Sequence, residues 1–231
     1  MAKHDEIGYF YKFQGNPVKL IKRLLDENGF KYANTNKNWT IYWSSSVIKN
    51  ETYQSLMPYQ KINHFPNSFH LTRKDLMNKY ISRMQIRHGI SHFNFLPKTF
   101  ILPQEINLLK EEMNKTPGIT YIAKPHNRSQ GKGITVTNQL STIYSKLEKY
   151  SSLIVSHYID NPLLINGLKF DLRIYVALTG VNPLRIYIYD EGLGRFATEQ
   201  YDDTGSDCEN KKFQHLTNYS INKKNTEFVK S

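Results

Sequence analysis

The alternation of apolar and polar positions divides the chain into a helical first half and a strand-rich second half. Asn16-Pro17 followed by Val18, Ile21, Leu24 and Leu25 predicts an amphipathic helix, with Asn16 as N-cap, Pro17 in its first position and Gly29 ending it. Trp39 to Trp43 reads as a short strand, and the stretch from Lys61 to Thr72, broken by Pro66, as irregular. A second helix is expected from Thr72, which stands at capping-box spacing from Asp75. Leu76, Met77, Tyr80, Ile81 and Met84 form its apolar stripe, and Gly89 ends it. From Ile119 the repeat shortens to two. Strands are expected at 119–123, 134–137, 153–159, 170–178 and 185–189, a helix at 139–150, and a turn at Asn182-Pro183. This pattern predicts an α+β fold in two parts, residues 1–115 and 116–231.

Composition narrows the class. An apolar share of 39% with 13% aromatics excludes a disordered chain. No run of about 18 apolar residues predicts a membrane-spanning helix. The polar start Met1-Ala2-Lys3-His4-Asp5-Glu6 shows no secretory leader. Cys208, the single cysteine, makes neither an internal disulfide nor a cysteine-rich zinc site, which points to a reducing compartment. The net charge of +11 calls for an acidic partner: nucleic acid, anionic membrane, nucleotide phosphates or an acidic protein tail. The first 115 residues carry 17 basic and 9 acidic side chains, so the surplus lies mainly there. No run of five like charges, zinc-finger spacing or RNA-binding aromatic motif supports a nucleic-acid binder. Lys79, Arg83 and Arg87, four residues apart, share one face of the second helix. That face is either simply solvated or turned toward an anion.

Four segments could carry chemistry. Lys124-Pro125-His126-Asn127-Arg128-Ser129-Gln130-Gly131-Lys132-Gly133 joins two strands through a basic, glycine-containing loop. Such a loop is either a flexible hairpin or a flap whose N–H groups approach phosphates. It lacks the GxxxxGK[ST] pattern of a Walker A loop. In the strand at 169–178, alternation points Phe170, Leu172, Ile174, Val176 and Leu178 into a core, and Lys169, Asp171, Arg173 and Tyr175 the other way. The polar side is either an exposed ladder of charges or the floor of a site for a charged ligand. Glu191-Gly192-Leu193-Gly194-Arg195-Phe196 sets an arginine among glycines, and His215-Leu216-Thr217-Asn218 clusters three polar side chains.

Taken together, these segments resemble the tubulin–tyrosine ligase-like family. The resemblance runs in order through INHFPNS (62–68), LTRKDL (71–76), AKPHNRSQGKGI (123–134), SHYIDNPLLI (156–165), KFDLRIYV (169–176), PLRIYIYDEGLGRFAT (183–198) and HLTNYSINK (215–223). SHYI and RMQIRHG (83–89) are most similar to the polyglutamylating branch. The resemblance implies an ATP-grasp-like fold. It implies an ATP-dependent ligation of glutamate to side-chain carboxylates of tubulin tails, through an acyl phosphate.

By motif, the resemblance gives Lys124 to the ATP phosphates and Gly131 and Gly133 to the flap above them. It makes Ser156, His157, Tyr158 and Ile159 the hinge that reads adenine through backbone groups, with Lys169 and Asp171 near base and ribose. Arg173 and Arg195 become the catalytic pair that neutralises the γ-phosphate and the acyl-phosphate transition state, a role that suits a planar, permanently charged fork. Thr217 and Asn218 are placed at the nucleotide or the acyl phosphate, and Lys74 at the mouth of the site. The implied partners are ATP, Mg²⁺, glutamate and acidic tubulin tails facing residues 1–115, with no nucleic acid and no membrane. The implied protein is a monomer in the cytoplasm, on the cytoskeleton or in a cilium, axoneme or basal body.

Two departures from the family pattern stand out. Arg128 stands two places before the usual basic residue of the flap, so no phosphate contact is assigned to it. Gly194 replaces a bulkier residue, which predicts a loose loop at Arg195. The family's Asp and Glu-x-Asn set for Mg²⁺ lies beyond the last matching motif. The sequence therefore predicts an incomplete ATP-grasp unit, with a catalytically inactive tubulin-binding module as the alternative.

Overall fold

The structure, a computed structural model, describes residues 9–33, 39–126, 128, 131–202 and 211–228. Cys208, the first eight residues, and Asn127, Ser129 and Gln130 of the flap lie outside them. The chain divides into two compact units, Met1–Thr72 and Arg73–Ser231. This division differs from the expected break near residue 115. The elements between 73 and 115 supply an edge strand and a core helix to the second unit, so they cannot be separated from it.

The first unit is a parallel sheet of order β2-β1-β3-β4, built from β1 (Phe10–Gln14), β2 (Lys31–Tyr32), β3 (Ile41–Ser44) and β4 (Lys61–Ile62). Helix α1 (Lys19–Glu27) makes the β1–β2 crossover, and α2 (Asn50–Gln54) and α3 (Phe69–Thr72) follow later in the chain. Helix α1 begins after Val18, two residues beyond the expected Asn16 cap, with no side-chain cap. Tyr11, Trp39, Ser44 and Ile48 are buried, and the ammonium of Lys12 lies over the rings of Trp39 (4.5 Å) and Tyr42 (4.1 Å).

The second unit opens with α4 (Lys74–His88). Arg73, not Thr72, precedes it, and Asp75 accepts hydrogen bonds from the Arg73 guanidinium (2.6 and 3.2 Å) in place of a capping box. Gly89, at φ 93°, ends the helix as its sequence predicts. An antiparallel sheet of order β5-β8-β6-β7 follows, from β5 (Thr99–Leu102), β6 (Tyr121–Pro125), β7 (Thr135–Thr137) and β8 (Leu153–His157). Phe100, Leu102, Tyr121, Ala123, Leu153 and Val155 of the sheet form one core with Leu109 of α5 (Ile106–Lys115) and Ile143 of α6 (Leu140–Tyr150).

Beyond β9 (Leu164–Ile165) the chain forms a long antiparallel hairpin of β10 (Leu168–Val181) and β11 (Leu184–Phe196), closed at Asn182-Pro183. Short helices α7 (Lys212–His215) and α8 (Tyr219–Asn222) complete the described part. The hairpin corrects two expectations. Leu172, Ile174 and Val176, assigned to a core, are 57–63% exposed. Strand β9 pairs only with Leu168 and Lys169, so the rest of the hairpin is a two-stranded ribbon, and a ribbon cannot bury its own faces. Arg195 does not sit in a loose loop. Gly194 pairs with Leu172 and Arg195 with Asp171, in register within β11.

Candidate functional site

A cavity of about 540 Å³ opens in the second unit, a volume within the range of small-molecule sites. Its walls come from four places. Strand β6 and the flap give Lys124, Arg128, Gly131 and Lys132; β10 gives Lys169 and Arg173; the α7–α8 connection gives His215, Thr217 and Asn218. Lys74, the first residue of α4, also lines it. The alternation of β10 explains the pairing of Lys169 with Arg173, which lie two apart on either side of Asp171. No Asp or Glu stands among the lining residues described.

Concentrated positive charge and burial act together here. Burial first, and then the charge of Lys74, lower the Lys124 ammonium from its ordinary value. Burial followed by the charge of Lys124 brings Lys169 down to about 8, against an opposing pull from Asp171. Lys169 donates a hydrogen bond to Tyr158 Oη (2.6 Å), whose ring it also covers at 4.2 Å. Tyr158 Oη lies 3.0 Å from Nδ1 of His215. The ammonium can only donate, so Tyr158 Oη accepts from Lys169, while its contact with Nδ1 of His215 has either group as donor; the other ring nitrogen of His215 is Nε2. That nitrogen is buried without a partner among the described residues. Burial, then the charges of Lys169 and Lys211, hold His215 down at about 4.

The glycines of the flap have steric reasons. Gly131 has φ 75°, and a Cβ there would press on Ile221 and come within 2.9 Å of Asn218 Oδ1. Gly133 has φ 77°, and its Cβ would meet Pro125 (2.9 Å) and the Tyr150 hydroxyl (2.8 Å).

The site therefore brings together Lys74, Lys124, Gly131, Lys169, Arg173, Thr217 and Asn218 of the expected set. Asp171 and Arg195 form a neighbouring ion pair: Arg195 Nε donates to both carboxylate oxygens (3.1 Å each), and its Nη2 also donates to Oδ2. Burial raises the Asp171 carboxyl, and the hydrogen bonds from Arg195 and Thr217 more than reverse this, so it stays below the ordinary carboxylate value. Of the hinge residues, Ser156 Oγ bonds Thr99 Oγ1 (2.8 Å), and His157 Nε2 faces Glu112 (3.4 Å). The N–H groups of His157 and Tyr158 donate to Lys98 and Thr120 carbonyls (2.9 and 2.8 Å), so these two donors already serve the protein itself. Ile159 is exposed. The residues missed from sequence are Arg128, given no role there, His215 and the side chain of Tyr158. The only signal for the last two was their presence in the HLTNYS and SHYI segments. For Mg²⁺, no group of three His, Cys, Asp or Glu comes together among the described residues, so no residue is assigned to it.

Residues 51–231 match the family model described as "Tubulin-tyrosine ligase family". The chain belongs to the tubulin-tyrosine ligase family. Among its relatives are the tubulin monoglutamylase TTLL4 of Mus musculus, 42% identical over 90% of this chain and 17% of the relative. The tubulin polyglutamylase TTLL5 of Homo sapiens is 41% identical over 95% of this chain and 17% of its own length. The tubulin polyglutamylase TTLL6 of Mus musculus is 38% identical over 90% and 25%. The similarity thus lies with the glutamylating branch, and the chain spans about a quarter or less of each of these three relatives.

Proposed function

We propose that this chain holds the nucleotide site of an ATP-dependent ligase that joins free glutamate to side-chain carboxylates of tubulin tails. The observation that carries the reading is the convergence of Lys74, Lys124, Lys169 and Arg173 beneath a glycine flap, in a member of a family whose similar relatives are glutamylases. A triphosphate fits such a wall, because phosphoryl transfer depends on positioning and positive charge more than on covalent chemistry of the protein. Lys124 holds phosphate oxygens. Lys169, expected near base and ribose, is assigned to them as well because it lines the same wall. Thr217 and Asn218 hydrogen-bond the nucleotide or the acyl phosphate, and Gly131 lets the flap approach.

In the first step a tail carboxylate oxygen attacks the γ-phosphorus, the bond to the β-phosphate oxygen breaks, and ADP leaves. In the second, the glutamate amine attacks the acyl carbon, phosphate departs with the bonding pair, and the amine gives up a proton. Arg173, in the cavity wall, and Arg195, held by Asp171, are assigned to the charge that develops on the phosphoryl oxygens. A cytoskeletal or ciliary location belongs to the same reading.

Calorimetry with a non-hydrolysable ATP analogue tests the site. Binding is expected, weakened at least about tenfold by Lys124→Ala, the scale of one lost charge-assisted contact. A folded chain that does not bind the analogue rejects it. Transfer of radiolabelled glutamate to tubulin with ATP and Mg²⁺ tests the reaction; absence of label despite analogue binding rejects the ligase reading of this chain.

A further inference from the structure

We propose that a second, lysine-lined cavity on the flap binds an acidic peptide, and that this is where the glutamate-rich substrate segment docks. The inference rests on the ligase reading and adds a substrate site to it. The cavity, of about 480 Å³, shares Gly131, Lys132, Ile134 and Leu216 with the nucleotide cavity, so the flap contributes to both. Five ammonium groups surround it: Lys132 of the flap, Lys146 and Lys149 of α6, Lys212 of α7 and Lys224 just after α8. These lysines come from four segments spread over more than 90 positions, so their convergence is a product of the fold and not the solvated face of one helix. None makes an ion pair with a described residue, and no Asp or Glu stands among the described lining residues.

The chemistry favours an extended polyanion of dispersed single charges. The described lining contains no arginine, so it lacks the planar fork that grips one phosphate at two points. Four of the five lysines are exposed and only Lys146 is half-buried, so the charges ring the opening and do not converge on one deep point. A single-stranded nucleic acid would need exposed aromatic platforms, and Tyr150 and Phe213 are both half-buried. A run of glutamate side chains matches flexible lysines one by one. The shared flap places such a run beside the phosphates, where its carboxylate must react.

The test is fluorescence anisotropy of a labelled oligoglutamate peptide with the full chain, without nucleotide. Binding is expected to weaken as salt rises from about 50 to about 300 mM, as screening shortens the reach of each charge. The α6 variant Lys146→Glu with Lys149→Glu is expected to lose about tenfold or more in affinity, and the paired Gln variant less. Both should keep the melting temperature and the ATP-analogue affinity of the unaltered chain. Unchanged peptide affinity in the folded charge-reversed variant overturns the inference. So does tighter binding of a single-stranded RNA that displaces the peptide. If the unaltered chain ignores the peptide, this site is rejected, while analogue binding and label transfer report on the ligase reading separately.

Discussion

Lys169 sits where burial and neighbouring charge oppose its protonation and a phosphate would restore it. With its ammonium at about 8 in the free protein, the charged fraction falls as pH rises through that value. Nucleotide affinity is therefore expected to decline above pH 8, by at most about tenfold per unit. Lys169→Arg should flatten the profile, since a guanidinium stays charged throughout; titration calorimetry across pH 7–10 measures it. His215 gives the opposite window. Its native value of about 4 lies below the unfolded one, so the unfolded chain binds the extra proton between about pH 4 and about 6.5. Stability should fall as pH is lowered through that range, by about 3 kcal/mol at most, and denaturant unfolding of His215→Gln should lack this component.

At the level of elements, the flap and the hairpin place their side chains for different reasons. Gly131→Ala would set a Cβ at φ 75° against Ile221 and Asn218, at the rim of the cavity proposed for the nucleotide. It is expected to cost about 1–3 kcal/mol of stability and to weaken analogue binding, both readable in one thermal-shift titration. The β10–β11 ribbon gives a contrasting case. Ile188 is 67% exposed and Leu153 is fully buried in the main core. Ile188→Ala should change unfolding free energy by no more than about 0.5 kcal/mol, whereas Leu153→Ala should cost about 2–5 kcal/mol, because only the second leaves a cavity.

Across the whole molecule, the cavity proposed for the nucleotide draws all its described wall residues from the unit Arg73–Ser231. A nucleotide present at a hundred times its dissociation constant stabilises the state that binds it by about 2.7 kcal/mol. Hydrogen exchange is expected to slow in β6, β10 and α7 on analogue binding and to leave β1 unchanged. Protection that appears in β1 alone would place the site elsewhere.

The sequence by itself determined the α+β class, the family, and the existence of five strands from 119 onward, though β11 runs seven residues past its expected end and β9 was not foreseen. Periodicity and turn residues are local signals, and the motifs are contiguous. It also put Lys169, Asp171 and Arg173 on one strand face, because alternation is a property of any strand. It did not show β1, β2, β4, β5 and β9, nor that residues 73–115 belong with the second unit. Both depend on long-range pairing, such as Thr99 with Ser156. Alternation misled at Leu172, Ile174 and Val176, because a pattern says which way side chains point and not whether anything covers them. Only the tertiary structure gave Arg128 a place in the cavity wall, linked Lys169 through Tyr158 to His215, and gathered five lysines from four segments around a second cavity. Those relations join residues dozens of positions apart, and no local rule of charge or spacing encodes them.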